Sequence, residues 1–170
     1  MILYIIRHAQ AVERSKTLPD QLRYLTKHGR SAVRKLRSKI VKNDPEPCVI
    51  ITSPLVRAVQ TAEILAEKVQ QSDLVIASKF LQPDTDRHQL IKYLKTHKNT
   101  ECVMVVGHEP LLSSLVTELL GQTDETIHFK KGACVALKVH FKKNKKSSFL
   151  WYMAPGKKLI TSFKKAFLQK

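Results

Sequence analysis

Two arginines and two histidines stand at or just beyond the ends of apolar, strand-like runs of the sequence: Arg7, His8, Arg57 and His108. The planar guanidinium group of arginine donates paired hydrogen bonds to phosphate oxygens and stays charged at any physiological pH. Histidine can act as nucleophile, acid or base near neutrality, and a histidine that accepts a phosphoryl group divides one displacement into two easier steps. Four such groups in one pocket would support phosphoryl transfer without a metal ion.

The elements that must position these side chains follow a strand, loop, helix order. Buried strands are predicted at residues 2–6, 48–52, 74–77 and 102–106. Helices are predicted from residue 26 to about 43, from residue 53 onward, at 86–96 and at 110–120. This alternation predicts an α/β fold, a three-layer αβα sandwich with a mainly parallel central sheet. Such sheets bind ligands beyond the carboxyl ends of their strands, where the four side chains are expected to meet.

The last third of the chain has a different pattern. Residues 133–141 and 149–153 predict two strands joined by a lysine-rich turn, and residues 161–168 predict a short amphipathic helix. The 170 residues contain no linker and are expected to form one domain, 1–170. At Ser53-Pro54 we predict the start of the second helix, with serine as its cap and proline in its first turn.

The composition is that of a globular protein, with 43% hydrophobic and 26% charged residues. No apolar run reaches the ~18 residues of a membrane span, and residues 1–6 are too short for the core of a signal peptide, so we expect a cytoplasmic protein. The three cysteines Cys48, Cys102 and Cys134 lie in or beside strand-like runs without CxxC spacing. They are expected to be buried, reduced thiols rather than metal ligands or disulfides.

The formal net charge of +16 is concentrated in the C-terminal part, which has no Asp or Glu after Glu125. Such a surface attracts nucleic acid, acidic proteins or phosphorylated substrates through its general field. The simpler interpretation is a solvated lysine face, because these lysines lack the interleaved aromatic residues of a stacking platform. Weak binding of acidic surfaces or nucleic acid through this part of the chain is the open alternative.

Four segments of the sequence resemble the histidine phosphatase (phosphoglycerate-mutase-like) superfamily, and within it the short SixA-type phosphohistidine phosphatases. The first, Arg7-His8-Ala9-Gln10-Ala11, stands where the family has its Arg-His-Gly signature. The others are Leu25-Thr26-Lys27-His28-Gly29, Ser53-Pro54-Leu55-Val56-Arg57-Ala58-Val59-Gln60-Thr61 and Val106-Gly107-His108-Glu109-Pro110. The resemblance spans nearly the whole chain, and the segment from Ser53 to Thr61 is its most specific part.

This resemblance implies a role for each of the four residues and a phosphoglycerate-mutase-like sandwich as the fold. His8 would be the phosphorylated nucleophile, Arg7 and Arg57 would bind the phosphoryl oxygens, and His108 would complete the pocket and stabilise charge in the transition state. No cofactor and no metal are implied. One departure is Ala9 in place of the usual glycine, which suggests either that this turn needs no glycine or that the pocket is slightly altered.

A second departure concerns the general acid. Superfamily members that hydrolyse phosphomonoesters carry Glu or Asp after the third strand, whereas Leu81-Gln82-Pro83 occupies that stretch here. An alkoxide leaving group needs a positioned proton donor, but the imidazole of the labile phosphohistidine is far less demanding. We therefore expect a histidine-phosphorylated protein as substrate, such as a phosphorelay or phosphotransferase component. Asp84 and Asp86 could also reach the pocket, although turn formation is the favoured role for both.

Two alternatives stay open at this stage. One is a broader phosphatase for small-molecule or protein phosphomonoesters, with Asp84 as its acid. The other is a basic binding module that has kept the fold and lost the chemistry, against which the intact set of four residues argues.

Overall fold

The computed structural model describes residues 1–43, 49–67, 75–122, 127–142 and 145–168. Its strands are β1 (Ile2–Arg7), β2 (Val49–Thr52), β3 (Val75–Ala77), β4 (Cys102–Gly107), β5 (Cys134–Lys138) and β6 (Ser148–Met153). Its longer helices are α1 (Lys27–Asn43), α2 (Val56–Ala66), α3 (Arg87–Thr96) and α4 (Leu111–Leu120). The predicted strand ends at Cys48 and Leu74 lie outside the described residues.

The six strands form one sheet in the order β3-β2-β4-β1-β5-β6. The four strands from β3 to β1 are parallel, whereas β5 pairs antiparallel with β1 and β6 pairs antiparallel with β5. In register, Arg7 lies opposite Gly107 and Thr52 lies opposite Val106, so β1, β4 and β2 end side by side. The prediction of a mainly parallel α/β sheet is confirmed.

Two hydrophobic cores cover the two faces of the sheet. Along β1, Leu3 and Ile5 point into the core formed with α3 and α4. Tyr4 and Ile6 point into the opposite core, formed with α1 and α2. This alternation along a strand buried on both faces produces the three predicted layers.

Helix α2 begins later than the sequence pattern predicts. Leu55 stands at its N-cap position with extended backbone (φ −70°, ψ 134°) and makes no capping bond through its side chain. An extended Leu55 excludes Pro54 from the first helical turn. The prediction that Ser53 caps this helix was therefore wrong, and the Ser53 hydroxyl is used elsewhere.

The C-terminal part follows the predicted order with shorter elements. The antiparallel partners β5 and β6 confirm the two predicted strands, although β5 ends at Lys138 rather than near Phe141. The predicted last helix is a single π-helical turn, Lys164–Leu168. Its residue Phe167 packs against the rings of Phe129 and Tyr152 and anchors the tail to the core.

Two further expectations concern cysteines and membranes. Cys102 and Cys134 are fully buried in β4 and β5, as expected, while Cys48 lies outside the described residues. Within the described ranges, no helix is both long enough and apolar enough to cross a membrane.

Candidate active site

The structure brings Arg7, His8, Arg57 and His108 together around one cavity of about 400 Å³. The cavity lies at the carboxyl edge of the sheet, because β1, β4 and β2 end there as neighbours. His8 directly follows β1, and its backbone N–H donates to the carbonyl of Gly107 (3.1 Å). Adjacent strand ends thus hold the two histidines, and the first turn of α2 supplies Arg57.

The ring of His8 has a defined protonation state. Its Nδ1 lies 2.8 Å from the carbonyl oxygen of Ala9, and because a carbonyl can only accept, Nδ1 carries the hydrogen. Burial lowers the pKa of His8 to about 3, with smaller contributions in the same direction from His108, Arg57 and Arg7. His8 is therefore neutral at pH 7 and has a free lone pair on Nε2.

His108 is the second buried histidine of the cavity. Its ring centroid lies 5.0 Å from that of His8. Its Nε2 is 2.9 Å from the hydroxyl oxygen of Ser53. Burial lowers the pKa of His108 to about 4, and the charge of Arg57 acts in the same direction. Both rings are thus neutral at pH 7 beside two permanent positive charges.

The two arginines are each fixed by part of the guanidinium group. Nη1 of Arg7 donates to the carbonyl of Phe129 (2.6 Å), and Nη1 and Nη2 of Arg57 donate to the carbonyl and the carboxylate of Asp20 (2.7 and 2.9 Å). The Nε atoms of both arginines are buried and have no hydrogen-bond acceptor among the described residues. A buried donor left without a partner costs about 1–3 kcal/mol. Both guanidinium groups line the cavity and are permanently charged, so the cavity suits an anion.

Asp20 is a site residue that the sequence analysis missed. Its carboxylate contacts Arg14, Arg23 and Arg57 at 3.1, 2.8 and 2.9 Å. These contacts, the hydrogen bond from Arg23 first, hold the pKa of Asp20 well below its usual range. Pro19-Asp20 gives only a turn signal in the sequence, because the long-range contact with Arg57 has no local pattern.

Four more residues that line the cavity also escaped prediction: Arg14, Arg23, Glu109 and Lys131. Arg14, Arg23 and Lys131 lie in loops, and no signal in the sequence places them near the site. For Glu109 the signal is its position directly after His108 within the segment Val106-Gly107-His108-Glu109-Pro110.

The motif residues around the site hold the loop that follows β1. Thr61 accepts a hydrogen bond from the backbone of Ala9 (3.2 Å) and donates to the carbonyl of Arg57 (2.7 Å), which links this loop to α2. Gln60 accepts from the backbone of Leu25 (2.8 Å). A Cβ atom on Gly29 would lie 2.2 Å from the carbonyl oxygen of Gln10, so the glycine allows α1 to approach the loop.

Ala9 fits this arrangement despite its departure from the family signature. Its side chain is fully buried in the core beneath α1 and α2. A Cβ atom placed on Gly132 would lie 3.6 Å from the Cβ of Ala9, so the methyl group faces a residue that has no side chain. The backbone N–H of Gly132 in turn donates to the carbonyls of Arg7 and His8 (both 3.1 Å).

Three carboxylates stand near the site besides Asp20: Asp84, Asp86 and Glu109. Pro83 lines the cavity where a general acid was sought, whereas Asp84 lines a neighbouring hollow that shares Asp20 and Pro83 with it. Asp86 caps α3 by accepting from the backbone of His88 (3.0 Å), which confirms its structural role. Glu109 accepts from the Ser113 hydroxyl and from the backbone of Phe129. In the part of the chain that the structure describes, no group of three or more His, Cys, Asp or Glu side chains could hold a metal ion.

Comparison with known proteins agrees with the fold and the site motifs. The model of the histidine phosphatase superfamily (branch 1) matches residues 3–80. A phosphohistidine phosphatase SixA homolog of Haemophilus influenzae is 30% identical over 135 residues, which cover 72% of this chain and 79% of that protein. Phosphohistidine phosphatase SixA of Escherichia coli is 27% identical over 158 residues, which cover 91% of this chain and 94% of that protein.

Among solved structures, the protein histidine phosphatase SixA complexed with tungstate superposes with a TM-score of 0.80 at 25% identity, covering 91% of this chain and 97% of the other. The fold, the site motifs and these relatives together define a phosphatase class: the chain belongs to the histidine phosphatase superfamily. Within that superfamily it is of the SixA type.

Proposed function

We propose that this protein is a phosphohistidine phosphatase that removes phosphoryl groups from histidine on a protein through a phospho-His8 intermediate. The observation that carries the proposal is the hydrogen bond from Nδ1 of His8 to the carbonyl of Ala9, because it leaves a lone pair on Nε2. A neutral imidazole with a fixed tautomer, in a cavity that two arginines line, is an activated nucleophile for a phosphoryl group.

The reaction proceeds in two displacements. Nε2 of His8 attacks phosphorus while the bond to the substrate's imidazole breaks, and that imidazole leaves neutral when its second nitrogen is protonated. Water then attacks phospho-His8, releases inorganic phosphate and restores the neutral ring with its hydrogen on Nδ1. Arg7 and Arg57 stabilise the charge on the transferring oxygens in both steps.

The choice of phosphohistidine rests on the acid chemistry of the cavity. Asp20 is bound by three arginines and is a poor proton donor, because the pKa of its carboxyl is held far below neutrality. Pro83 lines the cavity, and it belongs to the stretch in which the phosphomonoesterases that the sequence resembles carry Glu or Asp. A leaving imidazole tolerates this environment, whereas an alkoxide does not. The phosphohistidine phosphatases among the relatives support the same substrate class.

A second candidate, hydrolysis of phosphomonoesters, rests on Glu109, which lines the cavity of His8. Glu109 would replace Asp84 as the proposed acid, because Asp84 lines the neighbouring hollow instead. This candidate predicts that Glu109→Gln lowers ester hydrolysis and leaves phosphohistidine hydrolysis nearly unchanged.

The proposed partner is a histidine-phosphorylated protein. Arg14, Arg23 and Lys131 at the cavity add positive charge that favours a phosphorylated surface. We propose that residues 1–170 act as one domain, because the site draws on residues from Arg7 to Lys131 and the sheet takes strands from both ends of the chain.

The test compares a histidine-phosphorylated protein with an aryl phosphate, each in excess chelator. We expect turnover of the phosphoprotein at full rate in chelator and at a kcat/KM far above that of the aryl ester. A strict requirement for an added divalent metal, or a preference for the ester, would contradict the proposal.

A further inference from the structure

Ser53 makes a contact that the mechanism above does not use. It lies directly after β2 and is fully buried. Its hydroxyl oxygen is 2.9 Å from Nε2 of His108. The backbone N–H of Leu55 donates to the same oxygen at 3.4 Å. The hydroxyl therefore lies between a backbone donor and a ring nitrogen of the cavity.

The Ser53 oxygen could accept a hydrogen from Nε2 of His108 as well as donate to it, so we infer the direction from the need of the buried hydroxyl hydrogen for an acceptor. A serine hydroxyl has one hydrogen, and the N–H of Leu55 can only donate, so that hydrogen is free for another acceptor. Among the described residues, Nε2 of His108 is the acceptor within reach. The ring of His108 is neutral at pH 7 because burial lowers its pKa to about 4. A neutral ring that accepts at Nε2 carries its own hydrogen on Nδ1.

We propose that Ser53 is a positioning residue that holds His108 as its Nδ1–H tautomer, so that the ring offers a donor to the transferring phosphoryl group. The proposal rests on the proposed function for its catalytic meaning. A lone pair directed at phosphoryl oxygens would repel them, whereas an N–H donor stabilises the charge that they carry.

The two histidines of the cavity thus have complementary states. The carbonyl of Ala9 fixes the hydrogen of His8 on Nδ1 and leaves a lone pair on Nε2. The hydroxyl of Ser53 occupies Nε2 of His108 and leaves Nδ1–H as the free group. One hydrogen bond to each ring therefore makes the neutral imidazole of His8 a nucleophile and that of His108 a hydrogen-bond donor. The centroids of the two rings are 5.0 Å apart.

Ser78 provides a matched control on the neighbouring strand. It directly follows β3, is buried, and its hydroxyl accepts from the backbone N–H two residues on, Phe80 (3.3 Å). Ser53 has the same relation to Leu55 (3.4 Å). The two serines therefore share the local turn and differ in the histidine contact, which Ser53 alone of the two makes.

The direct test is the tautomer of His108, measured by long-range ¹H–¹⁵N NMR on protein labelled at its histidine rings. We expect Nδ1 to be protonated and Nε2 to be bare in the wild type and in Ser78→Ala. In Ser53→Ala we expect the preference to be lost, and in Ser53→Thr, which retains a hydroxyl, we expect it to be restored. A wild-type His108 with its hydrogen on Nε2, or an unchanged tautomer in Ser53→Ala, would overturn the proposal.

The kinetic test uses the same variants with the phosphoprotein and with an aryl phosphate. Ser53→Ala should lower kcat by roughly 10²-fold, as the loss of one transition-state donor does, and change KM little. Ser78→Ala should leave kcat within about twofold of wild type, because it touches no group of the cavity. An equal loss of kcat in Ser53→Ala and Ser78→Ala would show that Ser53 has only a structural role. If the tautomer is as expected but neither substrate is hydrolysed, the proposed function fails while the positioning by Ser53 stands.

Discussion

At the scale of single residues, the site is organised by local hydrogen bonds that decide which atom of each charged or titratable group is free. Arg57 is the clearest case, since Asp20 accepts one hydrogen bond from each of Nη1 and Nη2 and fixes the guanidinium group at the cavity, while each of these nitrogens keeps a second hydrogen for an anion. Arg57→Ala should lower kcat/KM by roughly 10²–10³-fold, equivalent to about 3–4 kcal/mol for one lost charge-stabilising donor. Arg57→Lys should recover little of this loss, because a point charge cannot replace the planar fork. Wild-type kcat/KM in Arg57→Lys would contradict the assigned geometry.

Asp20 gives a residue-scale prediction about pH. Because the arginines depress its pKa in the folded state, its contribution to stability is present above the unfolded-state pKa of about 4 and is lost as the pH falls below that value. Urea unfolding should show wild type more stable than Asp20→Asn at pH 6 and the difference shrinking between pH 4 and pH 2. Asp84→Asn, which removes a carboxylate that none of these arginines contacts, is the control for the loss of one negative charge. A difference independent of pH would refute the ion-pair account.

At the scale of elements, the loop after β1 depends on the close approach of α1. A Cβ on Gly29 would meet the carbonyl oxygen of Gln10 at 2.2 Å, so Gly29→Ala must displace either the loop or the helix. We expect a loss of about 1–3 kcal/mol in the free energy of unfolding, typical of overpacking, together with reduced kcat/KM. Gly121→Ala is the control: Gly121 ends α4 with φ +62° and nothing lies within 4 Å of its would-be Cβ. It should lower stability and leave kcat/KM unchanged.

The same scale explains what could be predicted from the sequence. The sequence alone could place four site residues together: Arg7, His8, Arg57 and His108. The carboxyl ends of parallel strands meet at one edge of the sheet, so it was enough to recognise the alternation of strands and helices. Asp20 could not be placed, because its position depends on a loop whose course is set by distant contacts. Ser53 was assigned to the helix because Ser-Pro favours a helix start, whereas the extended backbone of Leu55 delays α2 to Val56.

At the scale of the whole molecule, burial of both histidines at the carboxyl edge of the sheet sets the working pH of the site. The pKa values of His8 and His108 lie at about 3 and about 4, so both rings stay neutral at pH 5. Protonation of His8 would remove its nucleophilic lone pair, and a histidine with the ordinary pKa of about 6.5 would lose roughly 97% of its neutral form at pH 5. We expect kcat/KM at pH 5 to stay within about threefold of its pH 7 value, after subtraction of the rate with His8→Ala. A fall of roughly 25-fold would show that the rings titrate normally.

The central claim is that the phosphoryl group passes through His8, and trapping that intermediate tests it most directly. Wild-type protein is mixed with a ³²P-labelled histidine-phosphorylated protein, quenched in alkali within milliseconds and digested for peptide mapping. We expect an alkali-stable, acid-labile label on His8 of the wild type, neither label nor turnover in His8→Ala, and slower transfer with the label still on His8 in Arg57→Ala. A label on another residue of the wild type, or turnover by His8→Ala at the wild-type rate, would contradict it.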